Sequence, residues 1–305
     1  MRLINAITLT MHTFGGRPPP YAILSHTWGQ EEVSFQDFQL GPEHFGRLRG
    51  YAKIEGCCRQ ARKDGYEWVW VDTCCIDKSS SAELSEAINS MYKWYQGSDV
   101  CYVYLADMPR LKWNTEQRNF LTCRWFTRGW TLQELIAPRH VDFYAEDWSR
   151  IGTRLSLAKP IHYRTGIPVE VLRGKPPSAC LACQKMSWAA HRETSRKEDM
   201  AYCLMGIFEV NMPLLYGEGG DEAFRRLQEE ILKRSEDLSL LAWSSAHFPN
   251  DDPEVEMQRS SKNSFLAASP ADFSEIRTWG APEVIRSKFH IHQKQLQWRD
   301  VHAFS

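Results

Sequence analysis

The chain lacks a surplus of either charge, any long apolar run and the usual glycine patterns for phosphates. Its 37 Lys+Arg against 38 Asp+Glu leave a net charge of -1. Phosphate backbones are bound through a basic excess, so no nucleic-acid partner is expected. No run approaches the roughly 18 apolar residues of a membrane span, and Met1-Arg2-Leu3-Ile4-Asn5 opens no signal-peptide stretch. A membrane partner is not expected either. Neither G-x-G-x-x-G after a strand nor G-x-x-x-x-G-K-[ST] occurs, and there is no internal repeat. Cys180-Leu181-Ala182-Cys183 has no second pair of matching spacing, so no metal site is expected.

What is present is a globular balance, 43% apolar and 25% charged residues over 305 positions. A chain of this length buries a sizeable core in one large or two smaller domains. Twelve tryptophans require pockets or half-buried layers to hold them. The cysteines number nine, an odd count, and the adjacent pairs Cys57-Cys58 and Cys74-Cys75 rarely bridge to each other. Reduced thiols and a cytoplasmic location follow as expectations.

The first half alternates strand and helix signals. Tyr21-Ala22-Ile23-Leu24-Ser25 is a short apolar run ending in the turn His26-Thr27-Trp28-Gly29. Apolar or small residues then recur at Ile54, Cys57, Cys58 and Ala61 with helical period, stopped by Gly65. Trp68-Val69-Trp70-Val71 predicts a buried strand ending at Asp72. Leu84, Ile88, Met91, Tyr92 and Tyr95 mark a second helix, closed by Gly97. Val100–Leu105 predicts a third strand, a polar insertion spans about 109–117, Trp125–Ala137 predicts one helix ended by Pro138, and His140–Tyr144 a fourth strand. Strands separated by helices of this length predict an α/β core over 1–150. It is a flavodoxin- or Rossmann-like parallel sheet with right-handed crossovers and helices on both faces.

Residues 151–245 read as a mostly helical part of that domain or a cover on it. Ser195-Arg196-Lys197-Glu198 fits a capping box ahead of Met200, Cys203, Leu204 and Ile207. Gly217-Glu218-Gly219-Gly220 precedes a helix with Phe224, Leu227, Ile231 and Leu232 on one face. A glycine-rich helix start can hold phosphate, but Glu218, Asp221 and Glu222 oppose it. Residues 246–305 read as loops, with Pro253 and Pro270, at the edge of a longer protein.

The densest chemistry lies in Arg128-Gly129-Trp130-Thr131-Leu132-Gln133-Glu134-Leu135. It puts one carboxylate, Glu134, a helical turn after a tryptophan. In a parallel α/β domain the loop and helix after a strand face the ligand crevice. Glu134 is then either a catalytic group or a charge that caps its helix. Cys75, His26 and Asp72 are of the right types for a thiol nucleophile, base and orienter, although buried cysteines usually just pack.

Four blocks resemble the fungal heterokaryon-incompatibility (HET) domain. They are Tyr21–Gly29, Trp70–Asp77, Arg128–Pro138, and Thr194–Phe208 followed by Pro213–Gly219, together covering residues 1 to about 245. One departure is Lys78, where the resemblance leads one to expect glutamine. It implies a cytoplasmic fungal protein that triggers regulated cell death when incompatible strains fuse, or in related immune responses. In many relatives the domain precedes a nucleotide-binding and repeat region, which this chain does not contain. The sensor is then a separate NLR-type partner or a missing part.

A fainter resemblance is to TIR domains. Their first strand ends in Ser-His/Tyr/Phe and Arg-Gly, and a later helix carries Trp-Cys-x-x-Glu; Leu24–Gly29 and Trp130-Thr131-Leu132-Gln133-Glu134 lie in the same order here. Several TIR domains cleave NAD+ at the nicotinamide–ribose bond and require that glutamate. Carried over, the match makes Glu134 catalytic, with NAD+ as substrate rather than cofactor. Substrate-binding groups would come from Ser25, His26, Trp28, Gly29, Asp72, Cys75, Arg128 and Trp130. Activity would depend on self-association, since a constitutive NAD+ hydrolase would kill its host. The open alternative is a non-catalytic module that kills by recruiting partners, with Glu134 supporting the fold.

Overall fold

The computed structural model describes residues 1–109, 116–243 and 266–278. The chain divides into two compact units, Met1–Lys175 and Pro176–Ser305. The first holds a seven-stranded sheet made of β1 (Arg2–Asn5), β2 (Met11–Thr13), β3 (Tyr21–His26), β4 (Trp68–Trp70), β5 (Val100–Tyr104), β6 (Val141–Tyr144) and β7 (Arg150–Thr153). Its helices are α1 (Phe35–Gln39), α2 (Pro42–Phe45), α3 (Tyr51–Lys63), α4 (Asp72–Cys75), α5 (Ser81–Gly97), α6 (Glu116–Thr122), α7 (Thr131–Ile136), α8 (Ala158–Thr165) and α9 (Val169–Leu172).

Strand order is β2-β1-β4-β3-β5-β6-β7. The four strands read from the sequence, β3, β4, β5 and β6, form the parallel centre. Counted along the chain, their order across the sheet is second, first, third, fourth. The crossover direction therefore reverses between β3 and β5, which is where α/β sheets open a crevice at the carboxyl ends of the strands. The expected α/β class holds. The sheet is mixed rather than all parallel, because three antiparallel strands extend its edges: β1 and β2 beside β4, and β7 beside β6. These strands are short and half polar, so periodicity did not reveal them.

Side chains alternate along β3, and the two faces of the sheet differ. Ala22, Leu24 and His26 look toward α3. Tyr102 and Tyr104 stand beside Leu24 and His26 in register, and the Trp148 indole stacks on Tyr104 at 5.2 Å. Trp148 also presses on α3 at Gly56, where an added Cβ would meet its Nε1 at 2.0 Å. Ile23 and Ser25 look toward α5 and α7. There Trp70 packs on Tyr95, and Trp125 and Phe126 pack on Phe143.

The expected single helix over Trp125–Ala137 is two elements. A 3-10 turn spans Arg124–Thr127, Arg128 is extended, and α7 starts at Thr131. Thr131 Oγ1 donates to the carbonyls of Trp125 and Arg128, at 2.6 and 2.9 Å, and folds the approach back on itself. This local bonding competes with a continuous helix.

The second unit carries α10 (Ala182–Ser187), α11 (Asp199–Tyr202), α12 (Gly220–Arg234) and two 3-10 turns, Leu238–Leu241 and Pro270–Thr278. Helix α12 buries Phe224, Leu227 and Ile231 as its pattern requires. The helix expected from the capping box at Ser195–Glu198 starts later, at Asp199, with Glu198 at its N-cap. Thr194 Oγ1 donates to the Arg196 carbonyl, and Glu198 is engaged elsewhere, as described below. Helix α11 lasts one turn. The 3-10 turn at Pro270–Thr278 is the described part of the segment read as loops. Most of that segment, like residues 110–115 of the polar insertion, lies outside the described residues.

Candidate functional site

Strand β3 ends in two neighbours that look to opposite faces, Ser25 and His26. On the α7 side, the Ser25 hydroxyl donates to the Glu134 carboxylate and accepts from Trp125 Nε1 at 2.8 Å. Ser25 and Trp125 are fully buried and Glu134 is 7% exposed. The Trp125 donor occupies the serine oxygen, so the hydroxyl proton is left to point at the carboxylate. Tyr95 also meets Glu134. Burial first, and the Glu134 charge second, push its phenol well above its ordinary range.

Helix α7 is held at both ends. Thr131 ties its start. At its far end the buried Arg154 guanidinium donates to the carbonyls of Leu135 at 2.7 Å, Ile136 at 3.2 Å and Arg139 at 3.1 Å. A cation there satisfies carbonyls that have no intrahelical partner and complements the helix dipole. Burial holds Arg154 below its ordinary range.

On the α3 side, His26 is buried, and neither ring nitrogen has a hydrogen-bond partner among the described residues. Nε2 stands 3.8 Å from Glu32 Oε2 and Nδ1 3.8 Å from Asp72 Oδ1, both beyond hydrogen-bond range. Burial, then the nearby Lys53 charge, lowers its pKa to about 3, so the ring is neutral at pH 7. Lys53 pairs with Glu32 and donates to the Thr27 carbonyl at 3.2 Å. Glu32 also accepts from the Gly29 amide at 2.5 Å, closing the turn after β3. Trp28 is 48% exposed. Its Nε1 donates to Asp72 Oδ2 at 2.8 Å, and Lys78 Nζ lies 3.7 Å from its ring centroid.

The residues singled out in the sequence therefore fall into two groups. Ser25 and Glu134 meet on one face. His26, Trp28, Gly29 and Asp72 gather at the same end of the sheet on the other. Cys75 Sγ accepts from the Val71 amide at 3.4 Å, within its own turn. Arg128 and Trp130 are half-buried in the approach to α7. The indole that reaches Ser25 belongs to Trp125, which the sequence reading assigned only to a helix. Lys53, Glu32, Tyr95 and Arg154 were also missed. One signal was available: Lys53 lies at i, i+4, i+8 spacing with the apolar Cys57 and Ala61, a charge on a buried stripe.

The glycine-rich turn before α12 is already occupied. Glu198 Oε1 accepts from the amides of Gly217 at 2.9 Å and Gly219 at 3.3 Å. Both glycines have positive φ, 103° and 87°, the conformation that turns successive amides toward one anion. Glu198's own amide, then that of Gly217, holds its carboxyl below the ordinary range. The anion expected of such a turn is a side chain of the protein itself. A cavity of about 510 Å³ lies at the other end of the strands, lined by Lys63, Asp64, Tyr66, Asp99, His140 and Asp142 among others. It is remote from every group singled out for chemistry.

A family model described as heterokaryon incompatibility protein (HET) matches residues 21–112. The chain carries a HET domain. It is also 53% identical over 230 residues to vegetative incompatibility protein HET-E-1 of Podospora anserina, an alignment covering 72% of this chain and 16% of that one. The chain thus spans about a sixth of that relative's length. A domain of unknown function, DUF8212, matches residues 222–301. No solved structure matches the chain. The HET match contains both residues at the β3 tip and Asp72, while Glu134 lies beyond its end. Among the described residues, no helix is long and apolar enough to cross a membrane.

Proposed function

We propose that this HET domain is a cell-death effector of fungal heterokaryon incompatibility and that it hydrolyses NAD+ to nicotinamide and ADP-ribose through Glu134. The Podospora relative is named a vegetative incompatibility protein, which supports the biological half. The chemical half is carried by one observation: the Ser25–Glu134 hydrogen bond at the carboxyl end of β3, beside the strand reversal.

Nicotinamide bound through its cationic ring nitrogen is a good leaving group, and its departure builds positive charge on the ribose. A carboxylate fixed in a low-dielectric site stabilises that charge and holds the ribose hydroxyls. Water then adds at the anomeric carbon, giving ADP-ribose, nicotinamide and a proton. Ser25, oriented by Trp125, fixes Glu134 before substrate arrives. Trp28 offers an exposed aromatic face to a base. No metal or acid is required to protonate the leaving nitrogen. Cytoplasmic action, assembly on activation and a separate NLR-type sensor complete the reading.

The test is nicotinamide release from NAD+ by the assembled protein, with Glu134→Gln as control. A loss of about 10²–10³ in rate is expected. No release from wild type, or equal release from the variant, rejects the hydrolase. The second reading, a non-catalytic module that recruits partners, is favoured by the burial of Glu134 and its bonding to Ser25. It expects folded Glu134→Gln to kill cells as well as wild type, with NAD+ levels unchanged.

A further inference from the structure

Lys78 stands where the family resemblance leads one to expect glutamine, and the proposed hydrolysis does not use it. Among the described residues its ammonium makes no hydrogen bond and no ion pair; it rests on the Trp28 ring, 3.7 Å from the centroid. Burial pulls it below the ordinary lysine range. The Asp72 and Glu32 carboxylates lie within electrostatic range of it, yet its N–H donors are unused among the described residues, and a partly desolvated ammonium gains when an anion supplies an acceptor.

Two further groups in this cluster are incomplete. Asp72 Oδ1 and both nitrogens of His26 are buried without hydrogen-bond partners among the described residues. The neutral ring has one donor and one acceptor to offer. His26 Nδ1 and Asp72 Oδ1 are 3.8 Å apart, and a single hydroxyl about 2.8 Å from each would satisfy both. Asp72 directly follows β4, the second parallel strand. In dinucleotide-binding Rossmann sheets, whose glycine fingerprint this chain does not share, an acid in that region takes the hydroxyl of an adenosine ribose.

We propose that Lys78, Asp72 and His26 form a ribose-phosphate subsite. Lys78 anchors the phosphate of a nucleotide, Asp72 and His26 take a ribose hydroxyl, and Trp28 flanks the base. The subsite rests on the NAD+ reading for the identity of the full substrate, of which it holds the adenylate half. Glu134, on the opposite face of β3, is left to the nicotinamide ribose.

Calorimetric titration of the full chain with AMP and with adenosine tests this. Wild type should bind AMP about tenfold or more tighter than adenosine, the worth of one hydrogen bond to a charged group. Lys78→Gln should bring AMP down to the adenosine affinity and leave adenosine unchanged, while Lys78→Arg retains the preference. Thermal unfolding of each variant confirms that it is folded. Equal AMP affinity in wild type and Lys78→Gln, or a wild type that does not prefer AMP, overturns the subsite. Glu134→Gln should not alter the AMP titration. AMP binding that depends on Lys78 without any nicotinamide release would leave the subsite standing and remove the hydrolase. Nicotinamide release with AMP binding indifferent to Lys78 would do the reverse.

Discussion

Ser25 and His26 are adjacent in the chain, both buried, and surrounded in opposite ways. On the α7 face the groups around Ser25 are all engaged: Trp125 donates to Ser25, Ser25 to Glu134, and Arg154 holds the end of the helix that carries Glu134, although Gln133 Nε2 on that helix and Trp70 Nε1 are buried without partners among the described residues. On the α3 face the groups come close without closing. His26 lies 3.8 Å from two carboxylates, and Lys78 rests on the Trp28 ring near Asp72 and Glu32 without a hydrogen bond among the described residues. A buried polar group left unsatisfied costs about 1–3 kcal/mol. The Ser25 cluster is therefore complete as it stands, while the His26 cluster is built in a form that something else would complete.

The contrast can be broken in order of effect. Glu134→Gln should remove about 3–4 kcal/mol of transition-state stabilisation if the Ser25 cluster is catalytic, read as nicotinamide release. If release is unchanged, that cluster is a structural network. Arg154→Ala leaves three carbonyls at the end of α7 without their cation and should cost about 2–3 kcal/mol in chemical denaturation, whichever role Glu134 plays. Trp125→Phe keeps most of the ring but deletes the donor to Ser25. A stability loss of about 1–2 kcal/mol is expected, with a fall in rate at constant KM if the serine orients the acid.

The His26 cluster should respond differently. His26→Leu removes two unpartnered nitrogens and should raise stability by about 1 kcal/mol or more at pH 7, since a buried polar group left unsatisfied costs about 1–3 kcal/mol. Its effect should grow on acidification. The folded pKa of about 3 lies below the ordinary 6.5, so the unfolded chain takes up the proton first. Wild-type stability should therefore decline as pH falls from about 6.5 toward about 3, and His26→Leu should flatten that decline. An unchanged pH profile in the variant would mean that His26 is not held neutral. The smallest structural effect is expected of Lys78→Gln, which should leave the melting temperature unchanged while it removes the preference for AMP.

The four parallel strands were legible because each is an apolar run bounded by turn residues, such as Tyr21–Ser25 before His26-Thr27-Trp28-Gly29. The helices α3, α5 and α12 were legible because their buried residues recur at helical spacing. The edge strands were not. Met11–Thr13 and Arg150–Thr153 are three and four residues long and make their bonds to distant segments, which no local period records. The helix read over Trp125–Ala137 failed because Thr131 bonds back to Trp125 and Arg128, a hydroxyl-to-backbone contact that residue spacing cannot show.

The site divides along the same line. Ser25, His26, Asp72 and Glu134 could be named in advance because they follow strands, and strand ends in an α/β sheet border the crevice. The sequence by itself determined the layer architecture, the chemical types at the strand tips and the family resemblance. Only the tertiary structure decided that Glu134 belongs with Ser25 and Trp125, and that His26 belongs with Glu32, Asp72 and Lys53. The pleat sends consecutive side chains to opposite faces of the sheet. Which partners wait on each face is set by helices packed from elsewhere in the chain.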